Sequence, residues 1–159
     1  MKLIGDDKCF VCGPNNPSGL KIPFEIDRAG KKIRCEFTPG PEYQGFQGIT
    51  HGGVITTLLD EAMVKLAFEL GIPAVTAWIE VRFLTPLMTG EKTYISAGIT
   101  KEGKKLIEAS AEAVTTDGKT IAKATGKMIR VNPPSHTTSI PGTAVLSSMT
   151  ACIISFTVS

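Results

Sequence analysis

The sequence predicts an α+β domain in which one long helix is covered by an antiparallel sheet. Two observations carry that prediction. Residues 54–70 have helical periodicity, and nearly every stretch after them reads as a strand set off by a glycine-containing turn. Length agrees, because 159 residues make one domain, enough to bury a core and too few for two ordinary domains.

Taken in order, residues 20–26 and 32–37 read as two strands around an Arg28-Ala29-Gly30 turn. The helix follows. Ile55, Leu58, Leu59, Ala62, Met63, Leu66, Ala67 and Leu70 recur on one broad apolar face, and Gly71 and Pro73 supply the stop. Residues 74–84 are rich in β-branched and aromatic side chains, and 93–100 follow the turn Met88-Thr89-Gly90-Glu91. Residues 106–116 come after Glu102-Gly103, and 120–131 after Asp117-Gly118, a strong hairpin signal. The predicted order is strand, strand, long helix, then four strands in a meander. The helix is apolar over about half its circumference, so one curved sheet can cover it.

Seventeen basic and fifteen acidic residues leave a net charge of +2, which gives no electrostatic case for nucleic acid. The start, MKLIGDDKCF, lacks a secretory signal, and no apolar run approaches the ~20 residues that span a bilayer. A soluble, cytoplasmic protein with no membrane partner is expected. In that setting Cys9, Cys12, Cys35 and Cys152 are expected to be thiols. Residues 132–159 carry no charge, open with Pro133-Pro134 and are rich in Ser and Thr. The folded unit is therefore expected at 1–131, with 132–159 as an appendage.

The stretch most suggestive of chemistry runs from Tyr43 to Gly53, with glycines at 45, 48, 52 and 53, straight into the helix. Glycines there let backbone approach a ligand closely, and the free N–H groups of a helix start favour developing negative charge. The same glycines also suit a loop packed tightly on the sheet. An oxyanion site needs a second group to attack or to activate water. Glu61, Lys65 and Glu69 form a ladder four residues apart, the usual sign of a solvated face. Asp60 lies on another flank, among Thr56, Val64 and Ala67, where a carboxylate is costly unless paired or working. Asp60 is the candidate acid, and a structural hydrogen bond from Thr56 or Thr57 is the competing reading.

His51-Gly52-Gly53 followed by Leu58-Leu59-Asp60-Glu61-Ala62 resembles the hotdog-fold acyl-CoA thioesterases, in the branch that includes the phenylacetyl-CoA and 4-hydroxybenzoyl-CoA thioesterase-like enzymes. Cys9-Phe10-Val11-Cys12-Gly13 with Asn16-Pro17 and Gly19-Leu20 looks like the lead-in of many members, and Val81-Arg82-Phe83-Leu84 with Pro86 and Gly90 looks like their strand after the helix. The resemblance spans residues 9–130. It implies a hotdog fold, a homodimer that pairs into a homotetramer, an acyl-CoA substrate and no cofactor. It further implies that Gly52 donates its backbone N–H to the thioester carbonyl. Asp60 of the opposite subunit is then the general base or the nucleophile, and Thr76 positions the water. Gly53, Gln47 and Arg82 are expected against substrate. Many relatives carry Asn or Gln where this chain has Gly45, so Gln44 or Gln47 is expected to take that role. His51 is expected to shape the loop by hydrogen bonding rather than to act as the base.

Thioester hydrolysis makes an oxyanion and a good leaving thiolate. One N–H donor and one carboxylate are therefore sufficient parts, worth ~10²–10³ and ~10²–10⁴ in rate. An alternative is a hotdog domain that binds acyl-CoA or another ligand without turnover. A hydratase is disfavoured because the helix contains no His. Cys9 and Cys12 have a zinc-knuckle spacing, but with no second pair no metal is expected. Lys101, Lys104, Lys105, Lys123 and Lys127 decorate the later strands as a solvated face, from which one or two can meet nucleotide phosphates.

Overall fold

The computed structural model describes residues 3–5 and 7–131, so the appendage expected at 132–159, with Cys152, lies outside the described residues. In chain order the elements are β1 (Glu25–Asp27), β2 (Lys32–Phe37), a 3-10 turn (Pro41–Tyr43), β3 (Gln44–Phe46), β4 (Ile49–Thr50), α1 (Gly52–Glu69), β5 (Ala74–Phe83), β6 (Thr93–Glu102), β7 (Leu106–Thr115) and β8 (Thr120–Arg130). Six strands form one antiparallel sheet in the order β1-β2-β6-β7-β8-β5, while β3 and β4 pair as a separate ribbon.

The expected helix face is the buried one. Ile55, Leu58, Leu59, Ala62, Met63, Leu66 and Ala67 all lie in the core, and Leu70 is the half-buried C-cap. The helix stops at Gly71 (φ +74), where Ile72 N–H closes back on Ala67 O at 2.9 Å. Strand alternation supplies the other half of the core. Ala109, Ala111 and Ala113 on β7 and Ala122 and Ala124 on β8 are buried, and such small side chains let the helix sit close to the sheet. Register shifts at Thr76/Trp78, Ile99/Lys101 and Ala113/Val114 mark irregularities of the kind that bend strands. The result is the helix-in-sheet arrangement of the hotdog fold. No helix among the described residues is long and apolar enough to cross a membrane.

Three expectations are corrected. The first strand covers only Glu25–Asp27. Lys21 takes φ +55 and Pro23 has no N–H to give a ladder, so Leu20 and Ile22 instead donate to the Phe10 and Val11 carbonyls, at 2.8 and 2.9 Å. The helix begins at Gly52, two residues before the apolar periodicity, because its cap comes from His51. The last four strands are not a simple meander, since β6, β7 and β8 follow one another but β5 pairs with β8 at the sheet edge. The link 84–92 is no hairpin turn. It carries Pro86, buries Leu87 and accepts Thr50 N–H at the Leu87 carbonyl, 2.8 Å away.

Candidate active site

The glycine-rich stretch is a β3–β4 ribbon that turns at Gln47-Gly48, where Gly48 has φ +75. Gln44 Oε1 accepts the Gly48 N–H at 3.1 Å, so its amide oxygen closes this turn, and Gln47 stands exposed at the tip. His51 N–H donates to Tyr43 O at 2.8 Å and ties the ribbon to the helix start. The His51 side chain is the N-cap, its Nδ1 accepting the Gly53 N–H at 2.8 Å. An accepting Nδ1 puts the proton of the neutral ring on Nε2. A Cβ on Gly45 would stand 3.1 Å from His51 Cδ2, and one on Gly53 2.8 Å from Nδ1. The imidazole thus fills the space from which a side chain at position 45 would start.

That cap leaves one donor. Gly53 N–H is spent on His51, and Val54 and Ile55 donate to His51 O at 3.0 and 3.4 Å. Gly52 N–H, first in the helix and half-buried, makes no hydrogen bond among the described residues. The ring of Phe83 on β5 flanks it, 3.2 Å from where a Cβ would be. A free N–H at a helix N-terminus, where the dipole is positive, is suited to a developing oxyanion.

Asp60 is half-buried on the flank of α1 that meets β5. Thr76 Oγ1 donates to its Oδ1 at 2.7 Å, and Oδ2 has no partner among the described residues. The helix hydroxyls do not hold it. Thr56 Oγ1 donates to Gly52 O at 3.0 Å and Thr57 Oγ1 to Gly53 O at 2.8 Å, each back along the helix. The backbone positions of Asp60 and Gly52 are eight residues apart on α1, about 12 Å along its axis. Groups acting on one carbonyl must both lie within about 3–3.5 Å of the reacting atoms. A single thioester carbonyl is not within that reach of both backbone positions in one chain.

Arg82 is exposed on edge strand β5, opposite Lys123 on β8. Lys127 Nζ lies 5.2 Å from the centroid of the exposed Trp78 ring, and Lys101 pairs with Glu108 at 3.6 Å.

Glu61 departs from the expectation of a solvated face. Lys65 and Glu69 do pair, at 3.6 Å, but Glu61 is half-buried beneath the N-terminal segment, where Cys9 Sγ donates to Glu61 Oε1 at 3.4 Å. Cys12 shares the cluster. Burial, then the hydrogen bond and charge of Glu61, push its thiol up to about 12. The i, i+4 pattern concealed this, because periodicity does not record which segment returns over a helix. The Cys9/Cys12 spacing was the available signal.

A family model described as the thioesterase superfamily matches residues 47–122, which include β4, α1 and β5. Acyl-coenzyme A thioesterase 13 of Mus musculus is 33% identical over 101 residues, covering 62% of this chain and 72% of that one. Among solved structures, thioesterase superfamily member 2 of Mus musculus is 28% identical with a TM-score of 0.63, over 69% of this chain and 83% of that one. A hypothetical thioesterase of Streptococcus pneumoniae, solved with coenzyme A, is 20% identical with a TM-score of 0.66, over 72% of this chain and 88% of that one, a likeness of fold.

Proposed function

This chain belongs to the thioesterase superfamily and is a thioester hydrolase, and from that premise we propose that it hydrolyses acyl-CoA at a site built by two copies of itself. The observation that carries the proposal is the separation just described: the backbone positions of Gly52, with its free N–H, and of the Thr76-held Asp60 are about 12 Å apart on one helix. A second copy removes the conflict. β5 is a long edge strand, with Val75, Trp78 and Phe83 exposed at 39%, 44% and 51%. Such an edge is a template for another strand. Gly52 lies by the Phe83 end of β5 and Asp60 by the Thr76 end. Antiparallel self-pairing about the middle of the strand would bring the Thr76 end of one chain against the Phe83 end of the other, as two-fold symmetry requires.

In the proposed reaction the thioester oxygen accepts the Gly52 N–H. Asp60 from the other chain takes a proton from water, whose oxygen attacks the carbonyl carbon. Collapse of the tetrahedral intermediate re-forms the carbonyl and breaks the C–S bond. The departing CoA thiolate then recovers the proton from Asp60, leaving the free acid, and the carboxylate returns to the Thr76 hydroxyl. Arg82 on β5 and Lys123 on the neighbouring β8, cations side by side across the two strands, are suited to the nucleotide phosphates. Replacing Asp60 by Asn keeps the shape and removes the base. The expected outcome is a fall in kcat of ~10²–10⁴ on acyl-CoA substrates followed by thiol release. An Asp60→Asn variant as fast as the parent would remove Asp60 from the mechanism.

A further inference from the structure

The N-terminal segment crosses the outer side of α1 and brings two thiols and a carboxylate together. One ligand atom each from Cys9, Cys12 and Glu61 lies within 4.8 Å of the others, and all three residues are half-buried. Lys65 lines the same groove, but its ammonium pairs with Glu69, at 3.6 Å. We propose that Cys9, Cys12 and Glu61 bind Zn²⁺, fastening the N-terminal segment to the helix that carries Asp60.

Three observations support this. The first is dimension. A tetrahedral zinc with Zn–S near 2.3 Å and Zn–O near 2.1 Å has S···O edges of roughly 3.6 Å, and Cys9 Sγ lies 3.4 Å from Glu61 Oε1. That edge already has nearly the length a bound zinc would set. The second is the backbone of the turn. Val11 N–H points at Cys9 Sγ, 3.4 Å away, and an N–H donor favours the thiolate form that a metal requires. Gly13 N–H closes the turn on Cys9 O at 2.9 Å, and a Cβ on Gly13 would stand 2.5 Å from Cys9 N and 2.6 Å from Asp7 O. Only glycine permits this fold of the chain, which turns both sulfurs to one side. The third is the donor set itself. Two thiolates select a thiophilic divalent ion over Mg²⁺ or Ca²⁺, and a carboxylate with one position left for water suits Zn²⁺. Without an ion, three groups that can each carry negative charge face one another. Cys9 then holds Glu61 as a neutral thiol donor; a divalent cation would displace the thiol protons and draw the thiolates and the carboxylate together.

The test uses the full chain, stripped with a chelator under reductant and titrated with Co²⁺. The expected result is thiolate-to-cobalt charge-transfer absorption that saturates at one Co²⁺ per chain and is displaced by Zn²⁺. The Cys12→Ser variant should lose that absorption. Glu61→Gln should keep it but weaken Co²⁺ at least ~10-fold, since losing even an outer partner of a metal ligand costs about 10–100-fold. No charge-transfer band in the parent protein, where folding is not in question, would overturn the proposal. So would a band that persists in a Cys9→Ser/Cys12→Ser double variant, because Cys35 or Cys152 would then be the ligand. A Cys9–Cys12 disulfide that forms in the presence of saturating Zn²⁺ would also overturn it. None of these readings involves a thioester, so they stand or fall apart from the hydrolase mechanism.

Discussion

Asp60 and Glu61 are neighbours in sequence but about 100° apart around α1, and that rotation gives them different surroundings. Asp60 faces β5 and takes a hydrogen bond from Thr76 at 2.7 Å, while Glu61 faces the thiols of the N-terminal segment. In the proposed mechanism Thr76 is a positioning residue: its hydroxyl holds one carboxylate oxygen of Asp60 and leaves the other for water. A hydrogen bond to a charged group is worth ~1.5–3 kcal/mol, so Thr76→Ala should lower kcat ~10–100-fold with little change in KM. Thr76→Ser, which keeps the hydroxyl, should restore most of the rate. If serine fails as badly as alanine in steady-state assays, the methyl packing of threonine matters and the hydroxyl does not.

At the scale of elements, the start of α1 depends on a cap that comes from a histidine rather than from Ser, Thr, Asp or Asn. His51 Nδ1 takes the Gly53 N–H at 2.8 Å, and this leaves Gly52 as the donor without a partner among the described residues. Losing an N-cap costs ~0.5–2 kcal/mol, so His51→Ala should lower the free energy of unfolding in urea by that amount. His51→Asn should recover most of the stability, since asparagine caps well. The same asparagine variant separates two roles. Retained kcat means that His51 only shapes the loop, whereas a fall of ~10² or more would make it a proton carrier.

For the whole molecule, the proposed site requires two copies, and a mixture of two defective chains tests it. Gly52→Pro removes the donor N–H at the first helical position, where proline is favoured, and His51 at φ −62 and ψ 129 already has the extended backbone that precedes a proline. Each of Gly52→Pro and Asp60→Asn should be inactive alone. Co-expressed, they should regain about one quarter of the parent rate per chain, because random pairing makes half the dimers mixed and each mixed dimer has one intact site. No recovery in confirmed mixed dimers would exclude a site that joins Gly52 of one chain to Asp60 of the other.

The helix, its buried face and the four long strands were legible in the chain alone, as was a glycine-led helix start followed two turns on by an acid. These are local matters, since apolar spacing and turn residues act within a few positions of the chain. The edge position of β5 was settled only in three dimensions. A link with a proline and a buried leucine can lead to either side of a sheet, and strand propensity does not choose between them. The partners of the side chains were likewise decided by the fold: Thr76 rather than Thr56 on Asp60, His51 on Gly53, and Glu61 under two cysteines. Each is a contact between a helix and a segment that reaches it from elsewhere in the chain, or a cap fixed by one ring's orientation. No periodicity encodes such contacts, because they depend on where the chain returns.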